Sequence, residues 1–588
     1  MQRSVRLARN LPLAGSVAAR SLRDDPIAAT LLGLRVLPER VKARAVPALL
    51  RRLPEHRLPA VRAVLLWDSG RRSEAMALVS GATASPATRR RLVSFAVAVD
   101  RPVLAGQLLA GLPALDPARP RLAALVAWRE GRLRDAVELA GSPAGAGGSQ
   151  GRRNRRVARR LAGEVAVLSP HRRTLSPDPT YAPVQRRVLH LVTNSLPWSS
   201  AGYNVRTQAL ARAQREAGLD AHVATRLGFP VEQGHPTARA QDVVEGVPYH
   251  RLLPWGPAPW PDDVHLRAHT AAASELVREL RPALLHAATK HLNGQVALEL
   301  RDRFGVPVVY EVRGFLEETW LSRHGEHLEG TDRYRMAREV ETDCMLRADL
   351  VVTLAQVMRE EIVGRGVGAD KVLVVPNAVD EAFLAEPPDP AALRARLGVS
   401  REEVLVGLVS NLVAYEGVGT LLEAVRLLAD SGVPVRALVV GDGTERAALQ
   451  RRAVELGLGE RVVFTGRVPH AAVRAYHAAI DVFCVPRIDA RVTRLVTPLK
   501  PLEAMATGRP VVASRLPALE EIVSEGETGL LATPGDAASW AETLGVLVYD
   551  EDRRQSLGRA ARTTVRQERT WSALVRRYLT AYASLGVS

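Results

Sequence analysis

Hydrophobic and polar positions follow two different patterns along the chain, and each predicts its own kind of element. Up to about residue 140, apolar residues recur at helical spacing among Ala, Leu and Arg with no alternating β-branched runs, which predicts helices throughout. From Arg187 onward, short aliphatic runs alternate with amphipathic segments, the pattern of a parallel sheet covered by helices on both faces. A first unit is expected to use VLHLVTNS, AHVATRL, PALLHAA, VPVVYEVR, ADLVVTLA and KVLVVPN as strands. A second unit should use VLVGLVSN, RALVVGDG, RVVFTG, DVFCVP, RPVVASRL and GLLATP, with helices beginning near Gly417, Thr444, Ala471, Pro498 and Ala518. Doubly wound units bind ligands at the carboxyl ends of their strands, so the cleft between the two is the expected site.

The helical front contains a repeat. AVRAVLLWDSGRRSEAMALV resembles RLAALVAWREGRLRDAVELA at an offset of 61, matching Trp67 with Trp128, Gly70 with Gly131, Ala75 with Ala136 and Leu78 with Leu139. A weaker copy, LVSFAVAVDRPVLAGQLLA, lies half-way, so helix-turn-helix units of about 30 residues, close to a tetratricopeptide-like period, compete with an irregular bundle. GSPAGAGGSQGRRNRR reads as a flexible basic linker leading to a short helix from about Asn154 to Leu168. The expected map is 1–140 helical extension, 141–186 linker, 187–382 first unit and 383–588 second unit with C-terminal helices, the boundary falling after Asp380. The sheet-bearing part is expected to fold without the extension.

A chain of 588 residues exceeds one hydrophobic core, in agreement with that division. No run approaches the 18 or so apolar residues of a membrane span, and the start MQRSVRLARNLPLAGSVAAR is interrupted by Pro12 and Gly15, so a cytoplasmic protein is expected. Cys344 and Cys484 lack partners at metal spacing and are expected to be buried thiols. Residues 1–180 hold 32 Lys+Arg against 13 Asp+Glu, and the rest hold 48 against 50. The basic front could track nucleic acid or an anionic leaflet, or could simply be solvated helix faces.

The chemistry concentrates in VTPLKPLEAMATGRPVVAS, residues 496–514, between two expected strands. A loop entering a helix there offers free backbone N–H groups and the positive end of the helix dipole, which suit a diphosphate. Lys500 adds a point charge, and Glu503 carries a carboxylate able to accept two hydrogen bonds from vicinal ribose hydroxyls. The plainer alternative is a solvated first-turn acid.

PLKPLEAMATGRPVV, followed by ALEEIVSEGETGLL, resembles the donor-binding signature of glycosyltransferase family 4, retaining enzymes of GT-B fold. SSAGYNVRTQAL, VVYEVRGFLEE, KVLVVPNAVD, LVVGDGTERAALQ and VVFTGRVPHAAVRAYHAAIDVFCVPR extend the likeness over residues 187–588. The resemblance implies an α/β protein with two Rossmann-like domains, acceptor side first and donor-nucleotide side second, preceded by the all-α helical-repeat extension. It makes Glu503 the ribose binder. Leu495 stands where the family's paired glutamate would be, and Asn411 and Glu416 stand where its diphosphate-gripping Arg and Lys would be. Arg487 and Lys500, with Arg491 or Arg494, are the expected replacements, since two phosphates need compensating cations. Gly202, Leu499 and Gly441 complete the expected donor set.

On the first unit, His286 is kept from a His-x-His loop whose second position is Ala288, and His291 could fill that space. Arg313, past VVYEV, is expected to face the cleft, with Glu317 either as an acceptor contact or as a structural ion pair. The implied reaction is retaining hexosyl transfer from a nucleoside-diphosphate sugar to an acceptor hydroxyl, in polysaccharide or glycoconjugate synthesis. Arg487 and Lys500 would stabilise the leaving diphosphate. No cofactor or metal is expected, and Asp550 to Asp552 reads as solvated surface. Expected partners are the nucleotide sugar, a glycan or lipid-linked acceptor, and an inner membrane surface or a protein met by the basic helices, but not nucleic acid. The rivals are a degenerate transferase module used for binding or scaffolding, and a sugar-nucleotide epimerase of the same fold.

Overall fold

The computed structural model describes residues 2–24, 26–36, 39–53, 58–81, 85–142, 147–170 and 173–587. The aliphatic runs after residue 183 form two sheets. The first holds β1 (Val184–Val192), β2 (Asp220–Thr225), β3 (Gln241–Val244), β4 (Val247–Arg251), β5 (Pro282–Ala288), β6 (Val308–Val312), β7 (Leu350–Thr353) and β8 (Val372–Val374), in the order β3-β4-β2-β1-β5-β6-β7-β8. The second holds β9 (Val404–Val409), β10 (Val435–Val440), β11 (Val462–Gly466), β12 (Val482–Val485), β13 (Val511–Ser514) and β14 (Gly529–Ala532), in the order β11-β10-β9-β12-β13-β14. β3 runs antiparallel to β4, and the other neighbours are parallel. Every residue of β5, β6, β9 and β10 is buried, as strands covered by helices on both faces must be. The strand order reverses between β1 and β5 and between β9 and β12, so the loops after these four strands meet at the switch points where such folds hold ligands.

The β3–β4 hairpin departs from the sequence expectation. It turns on Glu245 and Gly246, both at positive φ (46° and 77°), a two-residue turn that matches strand twist.

Among the described residues, the repeat forms three hairpins: 59–68 with 72–80, 86–98 with 102–110, and 119–129 with 133–141. Each turns in the same way. Gly70, Asp100 and Gly131 take positive φ (80°, 59° and 77°), and the next residue donates its N–H back to the preceding helix: Arg71 to Leu66 O, Arg101 to Ala96 O and Arg132 to Ala127 O. Five residues after each turn stands a fully buried alanine, Ala75, Ala105 or Ala136.

Three expected boundaries change. First, the basic linker is largely a helix, Gly148–Leu168, with residues 143–146 lying outside the described ones. Gly151, Asn154, Val157 and Leu161 face inward at helical spacing, Arg152, Arg153, Arg155 and Arg159 are exposed, half-buried Arg160 lies over the Trp128 ring at 5.5 Å, and Arg156 and Arg159 lie over the Trp260 ring at 5.0 and 5.4 Å. Second, the extension is not separate from the first unit. Asp332 accepts from the N–H groups of Leu133 and Arg134, both at 2.7 Å, and Leu133 and Leu168 share a core cluster with Met336 and Val340. Leu13 of the first helix is buried with Val231, Leu253 and Ala258. Third, the last helix, Trp571–Ser584, leaves the second unit and packs Trp571, Leu574, Tyr578 and Tyr582 against Val188, Leu210, Leu284 and Val309 of the first.

Both cysteines are buried and free. Asp550 caps the helix that follows it, accepting from Arg553 N–H at 2.8 Å. Among the described residues, no helix is long and apolar enough to cross a membrane.

Candidate active site between the two units

β9 and β12 are neighbours, so the loops leaving them lie side by side. Their contact depends on Gly417, which sits at φ +66° where a Cβ would stand 1.8 Å from Pro486 O. Ile488 N–H donates to Tyr415 O at 3.1 Å and holds the two loops together. This brings Glu416 to Arg487: the buried guanidinium donates to Glu416 Oε1 at 2.8 Å and to Val496 O at 2.9 Å, and lies 5.9 Å from the Tyr415 ring. Glu416, an acid at a position expected to be basic, is therefore the counter-ion of Arg487.

The loop after β12 leads into the helix Lys500–Ala506, whose Glu503 is 2% exposed. Lys500 Nζ lies 3.1 and 2.8 Å from the two carboxylate oxygens, and His477 Nε2 lies 3.2 Å from Oε2. Burial pushes this carboxyl up, but Lys500 and His477 outweigh it and hold the group below the ordinary 4.5. Burial drives His477 the other way, so its ring is neutral and donates. Glu503 and Leu499 line a cavity of about 270 Å³ at the junction of the units, together with Val205, Arg212, Asp380, Phe383 and His470.

Other expected donor residues find different work. Leu495 packs against the core of the first unit, which explains an apolar side chain where a carboxylate was expected. Arg491 crosses the seam to Glu318 at 2.7 Å and Glu361 at 3.0 Å, and Arg494 is held by Asp489. Neither is a spare cation for phosphate. Gly441, at φ +137°, is needed for backbone packing, since a Cβ would stand 1.8 Å from Ser410 O. Gly202 opens the helix Gly202–Glu216, is exposed, and would meet nothing within 4 Å if it carried a Cβ.

The expected catalytic trio of the first unit is corrected most. His286 lies inside β5 and is fully buried. The Tyr582 hydroxyl accepts from Gln214 at 3.0 Å and donates to His286 Nδ1 at 2.5 Å, leaving Nε2 3.4 Å from Glu311 Oε2. Burial holds the His286 ring neutral. Arg313 does not pair with Glu317, which belongs to Arg365 at 2.7 Å. It grips Glu311 instead, with Nε at 2.7 Å, and ties Tyr203 O and Thr207 Oγ1, both at 2.7 Å, to the end of β6. Arg206 reaches Glu311 Oε1 at 2.7 Å, Val375 O at 2.9 Å and Asn377 at 3.2 Å. Burial pushes Glu311 up, but Arg313, Arg206 and His286 together keep it well below 4.5. His291 lines a second cavity, apart from Glu503, where its N–H donates to Glu341 at 2.8 Å.

Arg487, Leu499, Lys500 and Glu503 thus gather on the chain after β12, while His286, His291 and Arg313 lie apart from them. Sequence reasoning missed Arg206, Glu311 and Tyr578. A glutamate in the middle of the buried run VVYEV was the available signal, because such a carboxylate requires a buried cation. Among the described residues, no group of three or more His, Cys, Asp and Glu is placed to hold a metal ion.

Residues 403–550 match the family of glycosyl transferases group 1, and residues 201–378 match the glycosyl transferase 4-like domain. The D-inositol 3-phosphate glycosyltransferase of Nocardia farcinica is 30% identical over 378 residues, covering 61% of this chain and 79% of that protein. The protein of the same name from Corynebacterium urealyticum is 32% identical over 387 residues, covering 62% and 86%. In fold, the chain is similar to sucrose-phosphate synthase from Thermosynechococcus elongatus, with TM-score 0.56, 22% identity, and coverage of 68% of this chain and 99% of that one. It is also similar to Anabaena HepE in complex with UDP-glucose, with TM-score 0.53, 21% identity, and coverage of 68% and 99%.

Proposed function

This chain belongs to the group 1, family 4-like glycosyltransferases, and from that premise we propose that it moves a hexosyl group from a nucleoside-diphosphate sugar to an acceptor hydroxyl with retention of configuration. One observation carries the reading: Glu503 is an ionised, buried carboxylate opening onto an interdomain cavity. Such a group accepts two vicinal hydroxyls, as a ribose presents them. Lys500, one-third exposed, stays free to swing toward a phosphate while His477 continues to hold Glu503.

In the transfer, the bond from the anomeric carbon to the diphosphate oxygen breaks as the acceptor oxygen bonds on the same face. The proton passes to the departing diphosphate. Charge gathering there is met by Lys500 and by Arg487, whose pairing with Glu416 loosens as phosphate competes for the guanidinium. Glycoconjugate or polysaccharide synthesis is the setting this chemistry serves, with a glycan or lipid-linked acceptor and with the basic extension in contact with a membrane surface or a protein partner.

The test is incubation of the full chain with UDP-, GDP- and ADP-sugars and candidate acceptors, followed by NMR of the new anomeric centre. A glycoside with the donor's configuration is expected. Nucleotide release without a glycoside would point to an epimerase, and failure to bind any nucleotide sugar would favour a scaffold. The seam pairing of Arg491 with Glu318 and the apolar seat of Leu495 are what favour that second reading.

A further inference from the structure

The second cavity, of about 230 Å³, lies where the N-terminal extension meets the first unit. Glu164 and Leu168 of the helix Gly148–Leu168 form one wall, and Lys290 and His291, at the carboxyl end of β5, form its floor. The extension's wall lies outside residues 201–378, the part of the first unit matched to the family. It is held firmly in place. Glu164 accepts from Trp128 Nε1 at 2.8 Å and from Arg333 at 3.3 Å, so the first unit and the repeat both fix its carboxylate.

Lys290 is the unusual group. Among the described residues its ammonium has no hydrogen-bond or ion-pair partner, and burial depresses its pKa although Asp262, Glu341 and Glu164 lie within electrostatic reach. An ammonium offers three donors, and the half-buried Lys290 lines the cavity with none of them taken by the protein among the described residues. Setting aside Glu317, which is taken by Arg365, the carboxylates of Glu164, Asp262 and Glu341 outnumber the cations Lys290 and Arg333. A phosphate would meet net negative charge. A ring of hydroxyls would give acceptors to Lys290 and donors to the carboxylates, and its C–H face would meet the apolar side chains of Leu292 and Leu316. The volume suits one such ring, being that of about seven or eight waters in the liquid. The cavity also adjoins the seam: Tyr334, on its wall, donates to Glu318 at 2.8 Å, and Glu318 in turn holds Arg491 of the second unit.

We propose that this cavity seats the acceptor, that it takes an uncharged, hydroxyl-rich ring in preference to a phosphorylated one, and that the extension completes it. The acceptor role rests on the transferase reading above; the ligand class rests on the cavity alone.

The test is calorimetric titration of the full chain, without donor, using myo-inositol, methyl α-D-glucoside and D-inositol 3-phosphate. At least one uncharged probe should bind. Lys290→Met should weaken it by about tenfold or more, the loss of a hydrogen bond from a charged donor, with the melting temperature recorded alongside. Phosphorylated inositol should bind at least about tenfold more weakly than the best uncharged ring, and Glu164→Gln combined with Asp262→Asn should narrow that gap by removing two negative charges. Equal or tighter binding of the phosphorylated ring, indifference to Lys290→Met in a folded variant, or no binding of any of the three would overturn the proposal. Nucleotide-sugar titration of the same sample reports separately on the transferase reading, so either can fail while the other stands.

Discussion

Glu311 and Glu503 are built from the same parts and differ in what those parts leave over. Each is a buried carboxylate with a cation and a histidine beside it, and each is held ionised against burial by those partners. Glu311 spends both oxygens inside the protein, on Arg206, Arg313 and the Tyr578 hydroxyl at 2.7 Å, and it borders neither cavity. Glu503 opens onto the interdomain cavity, and its cation is 33% exposed. Residue type and position near a switch point therefore do not separate a structural cluster from a binding one. Both oxygens of Glu503 are engaged as well, by Lys500 and His477; what separates the two is whether a partner is exposed enough to move aside, as Lys500 is, and whether there is space for a ligand to reach the carboxylate.

The comparison breaks most visibly at Glu311. Glu311→Ala strands two buried arginines, and removing one partner of a buried pair costs about 3–5 kcal/mol. Urea denaturation should show that loss, while the molecules that remain folded keep their nucleotide affinity. A loss within about 0.5 kcal/mol, the range of ordinary surface changes, would mean the cluster is not holding the first unit together.

Gly417→Ala should act next most strongly. The left-handed backbone costs a residue with a Cβ about 1–2 kcal/mol, and the collision with Pro486 O pushes the Glu416 turn off Arg487. Affinity for a nucleoside diphosphate should fall more than affinity for the bare nucleoside. Equal losses would show that Arg487 has no part in meeting phosphate.

Acid sharpens the comparison by separating histidines from carboxylates. His190, whose ring lies 4.6 Å from that of His286, is pushed by burial down to about 3 from an ordinary 6.5, and His286 is lowered as well. The unfolded chain therefore binds more protons than the folded one below 6.5, so this part of the stability is intact above that pH and drains as pH falls toward 3. Glu311 and Glu503, lowered from 4.5, add their own loss only below that value. The melting temperature should begin to drop near pH 6.5. A curve that stays flat down to about pH 4.5 would mean the histidines are not buried as neutral rings.

What could be read from the sequence was what lies close together along it. Most strands after Arg187 were legible because they are aliphatic runs, the central ones buried on both faces, and the donor loop because Leu499, Lys500 and Glu503 fall within five residues. The helical repeat was legible because its turns recur with a glycine or aspartate at the same place. The β3–β4 hairpin was not, since QDVV only alternates exposed and half-buried positions and VPYHR buries polar His250 and Arg251 beside a proline, although the Glu245-Gly246 pair marks its turn. Nor could the pattern of Trp571–Ser584 say which unit its apolar face would cover. The cluster around Glu311 joins Arg206, His286, Asn377 and Tyr578, separated by up to several hundred residues, and local spacing carries no trace of such a meeting. For the same reason His286 looked like a cleft residue: the loop it precedes is at the switch point, but its own side chain is buried beneath the last helix, against Tyr578 and Tyr582.

The central claim is that Glu503 is a binding carboxylate and Glu311 a structural one, and nucleotide affinity measured on Glu503→Ala in the full chain tests it most directly. With whichever of UDP, GDP and ADP the wild type binds, calorimetry should show a loss of about 1.5–3 kcal/mol, the worth of hydrogen bonds to a charged group, while the protein still unfolds cooperatively. An unchanged dissociation constant in a folded Glu503→Ala protein would contradict the claim, and would leave Glu503, like Glu311, a carboxylate that serves only the fold.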